Sequence, residues 1–449
     1  MDTTLKNEEL LMRALECWNG LRTFRDERER CKRFTYGDQW QDKIEDGGIR
    51  ITEEELIRSQ GNMPLKNNLI RRLVRNVLGV FRNRFELPQI PEFPNLPIIP
   101  TGNLSSLLEQ NRRLNRLDEL YARTMEEFLI SGIAAHKKWF GRRGGRNACW
   151  TDAVAPAQFF FDLDARDFRG HDISIIGEIH NMSANDFLAT FQGENLPTFA
   201  NPRQKMQVFE VWHRERPLRL FRHDRDTGLL VTANNPANSS AGAINNAFVT
   251  VDEEWHYTFM LADGTVLAHG RSPYAHGRHP YIFKAYPFID GEIHSFVADI
   301  IDQQKLTNRL ISMYDWILRA SAKGVLLFPE GCIPDGIDIN DVADEWSRFN
   351  GVIVYRPKPG VPLPQQVSSK SADIGITGLL EIQMKMMEDI SGGNGALQGT
   401  LENGSMSGTL YNQQTQNSLT ALADLLRSYD DFILQATEAD ASNILQFGW

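Results

Sequence analysis

The chain has 449 residues, enough for about three domains on length alone, and its 41% hydrophobic and 24% charged content suits a chain that can bury a core. A formal net charge of −10 argues against tight, sequence-independent DNA binding, which needs rows of cations on phosphates. No run of 18 or more apolar residues occurs, so no membrane-spanning helix is expected, and residues 1–11 carry no apolar secretory segment, so assembly in a cytosol is expected.

In chain order, residues 7–30 predict an amphipathic helix with Leu11, Ala14, Leu15 and Trp18 on one face. Gly37, Gly47 and Gly48 break that pattern. Residues 67–81 predict a second helix, with Leu69, Leu73, Val77 and Val80 on its stripe. From Lys66 to Arg84 the chain carries Lys66, Arg71, Arg72, Arg75, Arg82 and Arg84 with no acid between them. A solvated face or ion pairs with neighbours such as Glu53, Glu54 and Glu55 is the expectation. Prolines at 88, 91, 94, 97 and 100 make residues 87–101 an extended loop. Residues 104–132 are helical again.

The period then changes to two. Short strands are predicted at 139–149, 159–161, 173–179, 208–213, 218–223, 255–261 and 265–269. Ser183 should cap a short helix at 185–191. Residues 234–246, rich in Asn, Ala, Ser and Gly, form a loop.

The last third is helical. Residues 295–322 predict an uninterrupted helix of about 42 Å. Phe296, Ile300, Leu310, Met313 and Ile317 lie on its stripe and Asp302, Lys305, Arg309 and Arg319 off it. Gly324 should end it. A compact insert follows: a strand at 325–328, a helix at 338–349 capped by Asp338, a second strand at 352–355 and a proline-rich arm at 357–364. Trp346 and Phe349, three apart, share a face of the insert's helix and should pack it. Next come a helix at 372–390, a glycine-rich loop at 392–408 and a long polar helix at 409–439.

Chemistry-bearing motifs are few. Cys17, Cys31, Cys149 and Cys332 are scattered, form no C-x-x-C pair and read as free structural thiols; no metal or cofactor site is expected. The loop 392–399 lacks the Gly-Lys-Ser/Thr ending of a phosphate-binding loop. No Gly-x-Ser-x-Gly occurs. His171-Asp172 and the pair Glu178 and His180 could suggest a metal nuclease, and alternation puts Glu178 and His180 on one face of a strand. No carboxylate cluster at metal spacing accompanies them, so no catalytic site is expected. Met384, Met386 and Met387 read as helix packing.

The order of long helix, small insert, return helix, glycine-rich loop and long helix resembles the core of tailed-phage portal subunits, particularly those of short-tailed phages. The resemblance is carried by residues 300–309 (IIDQQKLTNR) running on to 320–324 (ASAKG), by Trp346, and by 350–358 (NGVIVYRPK) and 362–366 (PLPQQ). It continues through 386–390 (MMEDI), Gly392 to Gly399, Ser405 to Gly408, and Gln413, Gln414 and Gln416. Tyr36-Gly37-Asp38-Gln39-Trp40 is similar to a recurrent portal opening. The long helical barrel that some short-tailed phages add after the crown is not seen before Trp449.

The resemblance implies an α+β fold: a mixed α/β wing over 1–292 (helical amino part, β-rich 137–290), a stem helix at 293–323, and a clip at 324–371. A second stem helix at 372–391, a tunnel loop at 392–408 and a wing/crown helix at 409–449 complete it. The implied protein is not an enzyme. It is a homo-oligomeric ring, usually of twelve subunits, at one capsid vertex, forming the channel for DNA packaging and ejection. Its partners would be the terminase large subunit, then the head–tail adaptor and tail proteins, the major capsid protein, and double-stranded DNA passing non-specifically; no membrane is involved. It would be assembled in a bacterial cytoplasm and end in the virion. The tunnel loop would present Gly392, Asn394, Gly395, Leu397, Gln398, Gly399, Glu402, Asn403 and Ser405 to the channel. No Lys or Arg occurs between Lys385 and Arg427, which suits passage of DNA better than grip. Lys305, Arg309, Arg319 and Lys323 would either pair with Asp299, Asp302 and Asp315 between subunits or line the stem channel. Glu330, Asp335, Arg356, Lys358, Pro362, Pro364 and Gln365 would dock partners at the clip. The alternatives are a nucleic-acid-processing enzyme of the packaging apparatus, disfavoured by the missing Walker lysine, and a non-channel adaptor or scaffold.

Overall fold

Two helices open the chain, α1 (Thr3–Gly20) and α2 (Arg22–Tyr36), where the sequence predicts one. The computed structural model describes residues 3–85, 101–167, 169–191, 203, 205–223, 230–232, 247–323, 325–347, 352–367, 375–391 and 420–448. They divide into two units, Met1–Tyr36 with Ile70–Ile301 and Ile390–Trp449, and Gly37–Leu69 with Asp302–Asp389. After α2, β1 (Lys43–Asp46) and β2 (Ile49–Thr52) form a hairpin. Its turn is Gly47-Gly48, both at positive φ (58° and 82°), as a tight two-residue turn requires. The glycines read as pattern breakers in the sequence are therefore the turn of an antiparallel pair. α3 (Glu53–Ser59) starts with a full capping box between Thr52 and Glu55.

α4 (Leu69–Arg84) follows, then α5 (Thr101–Asn115) and α6 (Leu117–Ser131). The predicted single helix at 104–132 is broken at Arg116, which adopts the left-handed conformation at φ 50°. The strands of the larger unit are β3 (Ile133–Arg143), β4 (Arg146–Ala153), β5 (Phe159–Phe161) and β6 (Ile175–Ser183). After α7 (Ala184–Thr190), capped by the Ser183 side chain as expected, come β7 (Lys205–Glu215), β8 (Leu218–His223), β9 (Leu230–Thr232) and β10 (Ala247–Val251). β11 (Glu254–Leu261), β12 (Val266–Arg271) and β13 (Tyr281–Ala285) end the series. The sequence reading omits β13, a five-residue strand between Pro280 and Pro287.

In the larger unit, an antiparallel sheet in the order β12-β11-β7-β6-β5 faces a second sheet, β13-β3-β4; β10-β8-β9 form a third. Alternation sends Phe159, Phe161, Ile176, Trp212 and Trp255 from the first sheet against Ile133, Ala135, Tyr281 and Ala285 from the second. The opposite face of the first sheet, with Phe160, Ile179, Phe209 and Val211, is covered by Leu11, Ala14 and Cys17 of α1. Those three recur every third residue, so they share a helix face.

The smaller unit is built on α8 (Ile301–Lys323), preceded by a short 3₁₀ turn at Ala298–Ile300. β14 (Val325–Leu327), α9 (Ile339–Ser347) and β15 (Gln365–Val367) form the insert, and α10 (Ile376–Ser391) follows it. β14 pairs antiparallel with β15, Val325 opposite Val367 and Leu327 opposite Gln365. The predicted strand at 352–355 is not one: residues 352–358 join no ladder among the described residues. Composition shows that such a segment suits extended backbone, but not which neighbour completes its hydrogen bonds. Here the Arg356 N–H donates to the Cys332 carbonyl (3.0 Å) and the Val352 N–H to Glu345 Oε1 (3.1 Å). Asp338 bonds the first amide of α9, as predicted (2.7 Å). The last described helix is α11 (Ala423–Phe447), in the larger unit, tied to β3 by a buried Lys138–Asp440 pair at 2.5 Å.

Candidate functional site

A seam of buried amides positions α8. Gln304 Oε1 accepts from the Leu69 backbone N–H (2.9 Å), and Gln304 Nε2 donates to the Asn67 carbonyl (2.7 Å) and to Asn308 Oδ1 (2.9 Å). Asn308 Oδ1 also accepts from the Asn67 N–H (3.1 Å), while Asn308 Nδ2 donates to Gln39 Oε1 (2.7 Å). Ser312 Oγ accepts from the Leu65 N–H (3.0 Å). Gln39, Gln304 and Asn308 are at most 1% exposed. Residues 304, 308 and 312 recur every four residues and lie on one helix face. The apolar stripe predicted for this helix misses that seam. Ile300 and Leu310 are buried, but Met313 is half exposed. The four-residue spacing of polar side chains was the sequence signal that could have found it.

The Gln39-Trp40 motif has its place here. Besides the Gln39 bond to Asn308, Trp40 is buried and its indole N–H donates to the Leu65 carbonyl (3.2 Å). Lys305 lies 2.6 Å from Glu53 and 3.1 Å from Asp42, and Arg309 3.3 Å from Glu53. These cations thus meet acids of their own subunit, and the Lys305 charge is compensated in a half-buried setting; the Arg309 side chain stays 56% exposed. The side chains of Arg319 and Lys323 lie outside the described residues. A cavity of about 370 Å³ opens beside the seam, walled by Trp40, Ile57, Met313, Trp316 and Ile317, with Arg309 among its polar lining.

α8 beyond Leu310 exposes Met313, Tyr314, Trp316 and Leu318, and α10 exposes Leu379, Ile382, Met386 and Ile390. Spacings of three and four put the α10 residues on one stripe. Met387 of α10 is buried and Met386 half exposed, so the methionines expected to pack divide between the two states. In the insert, Asp335, Arg356, Lys358, Pro362 and Gln365 are exposed and Pro364 partly so. Arg356 and Asp335 pair at 2.7 Å. The Glu330 side chain, Phe349 and Gly324 lie outside the described residues. So does the whole of 392–408, with Gly392, Asn394, Gly395, Leu397, Gln398, Gly399, Glu402, Asn403 and Ser405.

The larger unit brings a third residue to Glu178 and His180. β6 pairs with β7 so that Glu178 faces Glu210, and the three offer ligand atoms within 4.8 Å of one another. Glu210 is already satisfied: Lys137 Nζ, His180 Nε2 (2.7 Å) and the Trp212 indole N–H (2.9 Å) all bond it. Burial pushes the Glu210 carboxyl up, but Lys137 and His180 outweigh it and hold the group at about 2. The Lys137 ammonium stands where a metal ion would. His171-Asp172 does not join this cluster; the Asp172 carboxylate instead accepts from the Arg166 (2.6 Å) and Asp167 (2.9 Å) amides of its loop.

Three cations of the 66–84 run have ion pairs with acids distant in sequence. Arg71 pairs with Glu126, Arg82 with Glu119 (2.9 Å) and Arg84 with Asp430. The acids come from α6 and α11, and nearness in sequence did not select them.

A long helix, a two-stranded insert closed by β14 and β15, and a return helix are thus in place, and residues 12–447 match the family described as phage P22-like portal protein. The chain belongs to that family. It is a phage portal protein, a structural channel component of the virion vertex, and the expected portal-type α+β fold is the one found. No curated protein matches the chain. No described helix is long and apolar enough to cross a membrane.

Proposed function

We propose that twelve copies of this chain form a ring whose channel is bounded by α8 and α10, with the insert as the clip and residues 392–408 as the tunnel loop. The carrying observation is the exposed apolar residues of α8 and the exposed apolar stripe of α10, which a neighbouring copy would cover. The clip takes the terminase large subunit during packaging and the head–tail adaptor afterwards, through Glu330, Asp335, Arg356, Lys358, Pro362, Pro364 and Gln365. The wing meets the major capsid protein. Double-stranded DNA passes without sequence recognition, and the Arg309 guanidinium, with Arg319 and Lys323, supplies the stem's cationic lining. The subunit has no catalytic step of its own, and it assembles in the bacterial cytoplasm before entering the virion.

Native mass measurement and negative-stain imaging of the purified chain test this. Closed rings with an open channel are expected, and their yield should rise with salt, because twelve copies carry on the order of −120 formal charges that salt screens. A monomer that persists at every salt and protein concentration would refute the ring. Nuclease or ATPase turnover abolished by a point change in this chain would refute the non-catalytic reading.

A further inference from the structure

The β3–β4 hairpin carries charge of the opposite sign to the chain as a whole. Between Glu127 and Asp152 there is no acid, while Lys137, Lys138, Arg142, Arg143 and Arg146 are all basic. Lys137 and Lys138 turn inward, to Glu210 and Asp440. The three arginines flank the tip, where Gly144 and Gly145 make a two-residue turn with φ of 58° and 81°.

Each arginine has a different situation. Arg143 is an anchor: its guanidinium forks onto Asp152 (2.9 and 2.8 Å) and lies over the rings of Trp139 and Trp150, 5.0 and 5.1 Å from their centroids. Arg146 stands directly across the ladder from Arg143, a like-charge pairing that is unfavourable unless an anion compensates it. Arg142, opposite Asn147, points to the other face of the hairpin. Neither Arg142 nor Arg146 has an anionic partner among the described residues.

A groove of about 660 Å³ runs between this hairpin and α5, lined by Gln110, Arg113, Leu114, Arg146, Asn147 and Ala148. Every polar liner can donate a hydrogen bond and none is a carboxylate. The Arg113 side chain is 79% exposed, and the acid beside it, Glu109, is shared with Arg112 (3.1 and 3.3 Å).

We propose that this groove binds the phosphate backbone of double-stranded DNA, through Arg113 and Arg146 with Gln110 and Asn147 as neutral donors. Guanidinium forks match phosphate oxygens, and donors without a base-reading element hold a duplex without regard to sequence. The site rests on the portal reading for its choice of polyanion, but it is built from α5, β3 and β4 of the larger unit and uses no residue of α8, α10 or 392–408. The chain's net charge of −10 opposes tight binding, so contact at this groove stays weak.

The test uses the full chain and a labelled duplex of about 20 base pairs, with anisotropy measured between 50 and 200 mM salt. Two phosphate contacts give a log–log salt slope of about −2. The double change Arg113→Gln and Arg146→Gln should weaken binding at least about tenfold at low salt and flatten the slope by about 2. Arg143 is left intact, and an unchanged melting temperature shows that the hairpin keeps its fold. Ring images of the same samples report on the portal reading separately. Failure of the unaltered chain to bind the duplex at 50 mM salt would overturn the proposal, as would equal binding by the double variant. Polyglutamate that binds the groove more tightly than the duplex would assign it to an acidic protein surface instead.

Discussion

Lys137, His180 and Trp212 reach Glu210 from three places in the chain, and the cost of removing any of them depends on what the carboxylate is left with. Lys137→Met takes away the full positive charge beside a side chain that is 1% exposed. Unfolding free energy from a denaturant titration should fall by roughly 3–5 kcal/mol, the cost of breaking a buried pair from one side. A loss under about 1 kcal/mol would show that Lys137 is not what compensates Glu210. Acid should act on the same cluster. Glu210 is held at about 2, below its ordinary 4.5, so its stabilisation is present above about 4.5 and is lost as pH falls toward 2. His213, stacked near His256 and His269, is pushed by burial down to about 4 from 6.5, so it too favours the unfolded state as pH falls from 6.5 to 4. Melting temperature should therefore start to drop below pH 6.5 and drop further below pH 4.5. His213→Gln should shrink the first phase without abolishing it, because burial also holds His136, His276 and His279 below 6.5; a flat profile between pH 6.5 and 4.5 in the unaltered chain would contradict it. Alternation was enough to put Glu178 and His180 on one face. Glu210 could not be foreseen from sequence, because it arrives through the β6–β7 register, thirty residues from His180.

Along α8 and α10 the informative quantity is spacing. From its clip end at Lys323, α8 reaches Trp316 after about 10 Å, Met313 after about 15 Å and Arg309 after about 21 Å. From its clip end at Ile376, α10 reaches Ile382 after about 9 Å, Met386 after about 15 Å and Asp389 after about 20 Å. A neighbour's α10 laid antiparallel against α8 would set apolar against apolar along this length. Met313→Asp or Ile382→Asp should then cut ring yield at least about tenfold, since a buried unpaired carboxylate costs several kcal/mol, while leaving the monomer's melting temperature within about 2 °C. Rings at full yield from both variants would move the subunit contact elsewhere. Both helices were legible from periodicity, because each is long. The strand expected at 352–355 shows the limit: Val352 and Val354 are 74% and 65% exposed and suit a strand, yet ladder partners are chosen in three dimensions. The face of α8 that is tied down was also missed, since a rule that looks for apolar stripes passes over Gln304, Asn308 and Ser312.

For the proposed ring, the glycine-rich loop at 392–408 lies outside the described residues. If 392–408 is the constriction, Gly395→Pro and Gly399→Trp should leave ring yield unchanged and shorten or destabilise the packaged genome, measured as DNA length per particle. Full-length genomes stably held in both mutants would place the constriction elsewhere. In the last third, α8, the strand β14, the helix α9 and the return helix α10 were readable because helices and turns differ so sharply in composition, while the glycine-rich loop lies outside the described residues. The grouping of Gly37–Leu69 with Asp302–Asp389 was not readable, since nothing local in either segment points to the other. That grouping has a consequence in time. The Asn67 amide waits for Asn308, 241 residues later in the chain. At about 5–20 residues per second a ribosome needs roughly 12–50 s to supply it. During that interval the Gln39 side chain lacks Asn308, and the amides of Asn67 and Leu69 lack Asn308 and Gln304. The surface that α8 will occupy is then open to any other chain, including a second nascent copy. Pauses that lengthen the interval should favour misassembled subunits over rings, so the rate of translation between residues 69 and 304 becomes a determinant of how many rings a cell makes.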